Sequence, residues 1–111
     1  MDEDEARRST EQAIALFRSR FIERCANDAE AVRAWRKGRL SDDQDIISRL
    51  HKLAGLAGTF GFPELGREAA GIEDALSDGD EVSDAAWDSF LTRVDDVVSG
   101  SEDPVQGNPG E

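Results

Sequence analysis

The stretch IISRLHKLAGLAGTFGFPELGREAAGIEDAL, residues 46–76, decides the fold of this chain. Its first half carries apolar residues at spacings of 4, 3, 4 and 3, the period of one helix face: Ile46, Leu50, Leu53, Ala57 and Phe60. Gly61 suits the end of that helix and Pro63 suits the first turn of another. The second half repeats the pattern with Phe62, Leu65, Ala69, Ile72 and Leu76. The stretch therefore predicts two amphipathic helices with a short connection.

The sequence before this stretch predicts more helix. Ser9 and Gln12 form a capping box, so we expect a helix to begin near Ser9 or Thr10. Its apolar stripe consists of Ile14, Phe17, Phe21 and Cys25. Asn27 and Asp28 are typical cap residues, which predicts a break and a short second helix that Gly38 ends. A capping box that starts at Ser41 opens the helix of residues 46–60.

After the stretch, Asp78-Gly79-Asp80 predicts a turn and Ser83 predicts the cap of a last helix. The apolar residues of that helix are Trp87, Phe90, Leu91, Val94, Val97 and Val98. No strand alternation is present, so we expect an all-α fold: an antiparallel four-helix bundle with a short additional N-terminal helix segment. The bundle domain spans residues 1–98, with 1–8 frayed. Residues 99–111 form an acidic tail rich in Gly, Pro and Ser, which we expect to be disordered.

Composition narrows the function. The 111 residues suit one domain, and 13 basic against 25 acidic residues give a net charge of −12. Binding to nucleic acid or to an anionic membrane is not expected, because both need a positive surface. The single cysteine, Cys25, allows no intrachain disulfide and is expected to be buried. The absence of a long apolar run and of a signal-peptide pattern predicts a cytoplasmic protein.

His51 is the only histidine in the sequence and lies one residue beyond the apolar stripe of its helix. Its neighbours on the helix surface are Ile47, Ala54, Gly55 and Gly58. Each glycine inside a helix costs about 0.5–1 kcal/mol, and a bare surface beside a nucleophilic imidazole would explain that cost. Alternatively, His51 is an ordinary surface residue and the small face is a helix–helix contact. A metal site is not expected, because the sequence offers no second histidine or thiolate ligand near His51. A hydrolytic triad is not expected either, because no nucleophile elbow is present.

The run LHKLAGLAGTFGF, residues 50–62, resembles the core motif of histidine phosphotransfer (HPt) domains. The family pattern is His-x-Leu-Lys-Gly, a later glycine and a Leu…Ala…(Leu/Ile)-Glu helix. It is matched here by His51, Leu53, Gly55, Gly61, Leu65, Ala69 and the pair Ile72-Glu73. With the helix order, the resemblance covers roughly residues 9–98. One position departs from the pattern: Ala54 stands where the family often has lysine. Lys52 either replaces that lysine or is an ordinary solvated side chain.

The resemblance implies a phosphoryl carrier of a two-component phosphorelay. His51 would accept a phosphoryl group from an aspartate of a receiver domain and donate it to another. Lys52, Gly55, Gly58, Ile47 and Ala54 would form the phosphate environment and the docking face. The implied partners are a response-regulator receiver domain, a hybrid histidine kinase, or both. The protein would be a monomer without a cofactor of its own, because the receiver brings Mg²⁺. No kinase activity is expected, since the sequence has no Gly-rich phosphate loop.

Two other functions are compatible with the same pattern. The first is a non-catalytic HPt-like adaptor bundle that binds a receiver or a kinase. The second is the dimerisation domain of a histidine kinase, which ranks lower because Lys52 follows His51 and no ATP-binding domain fits in 111 residues. Ile47 also has two interpretations: an exposed apolar anchor for a partner, or packing at the bundle edge.

Overall fold

The structure is a computed structural model that describes residues 2–38 and 42–104. Within these residues it contains four α-helices and no strand: α1 (Glu3–Arg36), α2 (Asp43–Thr59), α3 (Pro63–Ser77) and α4 (Asp84–Ser99). Each helix packs against two others, α1 and α3 both contacting α2 and α4. The all-α four-helix bundle expected from the sequence is thus confirmed.

Helices α1 and α2 run antiparallel. Trp35 near the end of α1 donates a hydrogen bond to Asp43 at the start of α2, with 3.0 Å between the indole nitrogen and the carboxylate oxygen. At the other end Phe21 stacks on Phe60, with 5.4 Å between the ring centroids. The short connection of residues 60–62 then reverses the chain into α3, with Gly61 at a φ of +93° and Pro63 in the first turn.

The predicted apolar faces form the core. The buried residues of α2, α3 and α4 are those of the sequence pattern, and Cys25 is fully buried as expected: Ile46, Leu50, Leu53, Ala57, Phe62, Leu65, Ala69, Ile72, Trp87, Phe90, Leu91, Val94 and Val97. Burial also raises the pKa of the Cys25 thiol to about 12, so the reactive thiolate form is disfavoured. Phe60 and Leu76 are partly buried at the edge of the core, whereas Val98, also predicted on the apolar face of the last helix, is 40% exposed.

The predicted start and break of the first helix are wrong. Helix α1 begins at Glu3, where the Glu5 backbone N–H donates to the Asp2 carboxylate at 2.8 Å. It then runs without interruption to Arg36, so the additional segment is the N-terminal half of a single helix. Asp28 does not cap a new helix because its buried carboxylate pairs with Arg49 of α2 and Arg24 of α1.

Several other helix ends follow the sequence. Ser83 caps α4, accepting from the Ala86 N–H at 3.1 Å, and Gly38 and Gly79 adopt positive φ after α1 and α3. The cap of α2 is Asp42, which accepts from the Asp45 N–H at 2.8 Å. The predicted cap Ser41 lies outside the described residues.

The first residues of the predicted tail turn back onto α4. The Glu102 backbone N–H donates to the Asp96 carbonyl at 3.0 Å, and the Glu102 carboxylate accepts from Arg93 at 3.1 Å. The rest of the predicted tail, residues 105–111, lies outside the described residues, as does Met1.

Candidate functional site

His51 stands in the middle of α2 with its side chain 73% exposed. Leu50 and Leu53 on either side of it are buried in the core and fix the rotation of the helix. Because successive helical residues are about 100° apart, burial of these two leucines turns the imidazole away from the core. The helix therefore presents a nucleophilic side chain on a rigid support, accessible to another protein.

Glu73 of α3 holds the imidazole. The distance between His51 Nδ1 and Glu73 Oε2 is 3.0 Å, and the Glu73 side chain is only 20% exposed. A carboxylate only accepts hydrogen bonds, so Nδ1 carries the proton in this contact. The lone pair of the neutral ring is then on Nε2, the nitrogen farther from the backbone. The arrangement gives Nε2 the electronic form that a nucleophile needs.

Glu73 contacts His51, and the sequence did not assign it to the candidate site. It appeared in the motif, but its distance of 22 residues from His51 hides the contact. The sequence did contain a hint: Glu73 directly follows the apolar Ile72, which lies on the face of α3 that packs in the core, so its side chain was expected close to a neighbouring helix.

The surface beside His51 is bare, as the sequence predicted. Gly55 and Gly58 are exposed, and a Cβ atom built on either would have no described atom within 4 Å apart from its chain neighbours and the backbone of its own helix. Both lie on the His51 face of α2, one and two turns further along the helix. Packing among the described residues therefore requires neither glycine.

Ala54 has a different position from the two glycines. It is half-buried and packs against the core. Its carbonyl oxygen lies where α3 comes closest, 3.1 Å from the position that a Cβ on Gly66 would occupy. A small residue at Ala54 and a glycine at position 66 thus allow α2 and α3 to approach closely, which sets the register that brings Glu73 to His51.

Ile47 and Lys52 flank the site differently. Ile47, one turn before His51, is half-buried and belongs neither to the core nor to the large exposed apolar residues. Lys52 is exposed and, in the part of the chain that the structure describes, forms no ion pair within 4.0 Å. Its ammonium group is therefore available to an anion.

A buried ion pair supports α2 from the side of α1. Arg49 donates to the Asp28 carboxylate at 2.9 Å and to Asp45 at 2.8 Å. The Asp28 side chain is 3% exposed. Burial raises the pKa of the Asp28 carboxyl above its usual value, and the hydrogen bond from Arg49 and the charge of Arg24 lower it only in part.

This pKa predicts a pH dependence of stability. Folded Asp28 binds its proton more tightly than unfolded Asp28, so its contribution favours folding below the ordinary pKa of 3.8 and is lost as the pH rises through the folded-state value. The stability of the wild type relative to Asp28→Asn should therefore be greater at about pH 3 than at about pH 7 in urea titrations. The exposed Asp95→Asn is the control. A difference that grows with pH instead would mean that Arg24 and Arg49 outweigh burial.

Two features that the described residues lack bear on the class of site. Among residues 2–38 and 42–104, no three His, Cys, Asp or Glu side chains are grouped so that they could hold a metal ion. In the same residues no helix is both long enough and apolar enough to span a membrane.

A four-helix bundle that presents a single exposed histidine on its second helix is the architecture of a phosphotransfer module. The family model described as "Hpt domain" matches residues 16–101. The chain belongs to the Hpt domain family, whose members take part in histidine phosphotransfer in phosphorelays and interact with receiver domains and histidine kinases of two-component systems. No curated protein and no solved structure matches the chain significantly.

Proposed function

We propose that this protein is a phosphoryl carrier in which His51 accepts a phosphoryl group from the aspartyl phosphate of a receiver domain and returns it to a receiver aspartate. The observation that carries the proposal is the contact between His51 Nδ1 and Glu73, on an otherwise exposed imidazole.

The transfer step proceeds without a cofactor bound to this chain. The Nε2 lone pair of His51 attacks phosphorus, an N–P bond forms, and the P–O bond to the receiver aspartate breaks, releasing its carboxylate. The proton on Nδ1 stays in place, so the phosphorylated ring is cationic, and the Glu73 carboxylate at 3.0 Å balances that charge. Phosphoryl transfer depends mostly on positioning and on charge neutralisation, and a Mg²⁺ ion held by the receiver would neutralise the phosphoryl oxygens.

The test is phosphotransfer from phosphorylated receiver domains and hybrid kinases of the source organism. We expect at least one receiver to lose its label rapidly to this protein and the protein to return it to unphosphorylated receiver. Binding of a receiver without any transfer would support a non-catalytic adaptor instead.

The bare surface around Gly55 gives a steric prediction. Gly55→Gln should slow transfer more than tenfold, because its side chain covers the approach to His51, while stability rises by about 0.5–1 kcal/mol from better helix propensity. Gly71→Gln is the matched control, since Gly71 is also an exposed helical glycine with nothing within 4 Å of an added Cβ. Stopped-flow transfer and thermal unfolding of both variants check this. Equal transfer rates for the two variants would place the docking face elsewhere.

Ile47 and Lys52 should separate binding from chemistry. Lys52→Ala should lower the transfer rate or shorten the phosphohistidine lifetime several-fold with little change in receiver affinity, because a lysine acts on the phosphoryl group as a point charge. Ile47→Ser should weaken receiver binding and leave the lifetime unchanged. Receiver titrations and dephosphorylation time courses measure both quantities. If Ile47→Ser mainly unfolds the protein and Lys52→Ala changes neither the rate nor the lifetime, then neither residue belongs to the site. The site would then consist of His51, Glu73 and the glycines.

A further inference from the structure

A groove of about 540 Å³ lies between α3 and α4. Its apolar lining consists of Ile72 and Ala75 of α3, Ala86 of α4, and Val82 of the connection between the two helices. Ile72 is buried, whereas Ala75, Ala86 and Val82 are half-buried. The described part of the chain therefore leaves the apolar lining of this groove partly open to solvent.

The groove lies in the most acidic part of the chain. Residues 68–92 contain eight carboxylates and no lysine, arginine or histidine, a net charge of −8 within a whole-chain charge of −12. Glu81 lines the groove and is exposed. Asp78, also exposed, follows Ala75 by three residues, and residues at this spacing are neighbours on a helix surface. The groove thus has an apolar lining and an acidic rim.

The groove and His51 lie on different sides of α3. Glu73, whose carboxylate contacts the His51 imidazole, directly follows Ile72. Ala75 comes two residues after Glu73 and therefore lies about 160° away from it around the helix. A molecule that fills the groove on the Ala75 side leaves the imidazole accessible.

The lining and the rim together favour one class of occupant. An amphipathic helix binds in an apolar groove through large apolar side chains at positions i, i+3, i+4 and i+7. A groove between two helices accepts a third helix by the packing that also holds a bundle together. The acidic rim attracts lysine and arginine at the edges of the apolar face and repels carboxylates there. The complementary ligand is therefore a cationic amphipathic helix.

Charge ranks the occupants that the chain itself could provide. Residues 105–111 contain one carboxylate and no basic side chain. A second copy brings a net charge of −12, so its approach is opposed by repulsion between like charges. Its best-suited segment is the N-terminal half of α1, where Ile14 and Phe17 are 45% and 50% exposed and Arg18 and Arg20 follow. The charges favour a basic partner protein over both.

We propose that the groove between α3 and α4 binds a cationic amphipathic helix of a partner protein other than the receiver. Large apolar side chains of that helix pack against Ile72, Ala75 and Ala86, and its basic side chains lie against Glu81 and Asp78. The partner and a receiver bind at the same time because their sites lie on different sides of α3. Only this simultaneous binding rests on the proposed function, since binding in the groove does not involve His51.

A synthetic helix tests the chemistry of the groove. A fluorescent peptide of leucine and lysine, about 18 residues long with leucine at the helical period, spans about five turns. Its anisotropy should show saturable binding to the full chain. A peptide of the same composition in scrambled order should bind much more weakly, and so should one with glutamate in place of lysine. Equal binding of the scrambled peptide would mean that charge alone attracts it and would overturn the proposal, as would no binding of the amphipathic peptide.

Two pairs of variants test the location. Ser89→Trp fills the groove without a change of charge and should weaken peptide binding about tenfold, whereas Ser77→Trp, at an exposed position of α3 outside the groove lining, should not. Glu81→Lys should weaken binding several-fold, whereas Glu23→Lys makes the same charge change at an exposed position of α1 and should not. Circular dichroism checks the helicity of all four variants. Equal effects within both pairs would place the peptide elsewhere.

Amide chemical shifts and sedimentation separate the other occupants. The peptide should shift the amide signals of Ala75 and Ala86 and leave those of His51 and Gly55 unchanged. Shifts at His51 and Gly55 instead would assign the peptide to the receiver-docking face. A wild type that approaches twice its 12.1 kDa mass, and returns to one chain in Ser89→Trp, would assign the groove to a second copy. Either result would overturn the proposal, whereas failure of phosphotransfer with intact peptide binding would overturn only the proposed function.

Discussion

His51→Gln is expected to abolish phosphate acceptance completely and to leave the bundle intact. The sequence has no other histidine, and the His51 side chain is 73% exposed, so its replacement removes the nucleophile without opening the core. Transfer from a labelled receiver should fall to background, while the unfolding midpoint and the helical circular dichroism remain close to wild type.

The control for this experiment is Asp88→Gln, which changes an exposed residue of α4 and leaves the imidazole in place. Label retained by His51→Gln would show that another residue accepts the phosphoryl group. Thr59 is the nearest hydroxyl in the motif, but its Oγ1 donates to the Gly55 carbonyl at 3.3 Å and is turned towards its own helix.

Glu73→Ala should give the second-largest effect, a loss of about 10- to 100-fold in transfer rate. The size is taken by analogy from metal-ligating histidines, whose sites lose about this much affinity or activity when the hydrogen-bond partner of the histidine is removed. The variant leaves Nδ1 without its acceptor and the phosphorylated ring without its counter-charge. Glu73→Gln should lose less, because an amide oxygen still accepts from Nδ1–H.

Asp74→Ala is the matched control for Glu73, since it removes the same charge from the adjacent, exposed position of α3. A general electrostatic effect would lower the transfer rates of Glu73→Ala and Asp74→Ala alike, whereas a positioning role of Glu73 would lower only the rate of Glu73→Ala. Nitrogen-15 chemical shifts of the unphosphorylated His51 ring give a second measurement: Glu73→Ala should shift the ring towards a mixture of tautomers, and Asp74→Ala should not. An unchanged rate and an unchanged ring in Glu73→Ala would remove Glu73 from the site.

The sequence was sufficient for α2, α3 and α4 because each of these helices has an apolar stripe that its own period reveals. It failed for α1 at Asp28. A carboxylate after an asparagine is typical of a helix cap, yet here the same side chain is buried against Arg49, 21 residues away. Only the packing of α1 on α2 distinguishes the two situations, and a local pattern does not contain it.

The candidate site was predictable to a similar extent. The position of His51 beside the stripe and the bare glycines follow from helical geometry alone. The Glu73 contact does not, because it depends on the register between α2 and α3, which the close approach at Gly66 sets. Periodicity likewise placed Ile14 and Phe17 on the core face, but it does not tell where the bundle ends along that face.

NMR of the phosphorylated protein tests most directly whether His51 Nε2 carries the phosphoryl group. Phosphorus-31 and nitrogen-15 spectra of ring-labelled protein distinguish phosphate on Nε2 from phosphate on Nδ1, and the linkage should be labile in acid and stable in alkali. We predict a single Nε2-phosphohistidine at position 51, with Nδ1 still protonated towards Glu73. An acid-stable phosphate, or phosphate on Nδ1, would contradict the account.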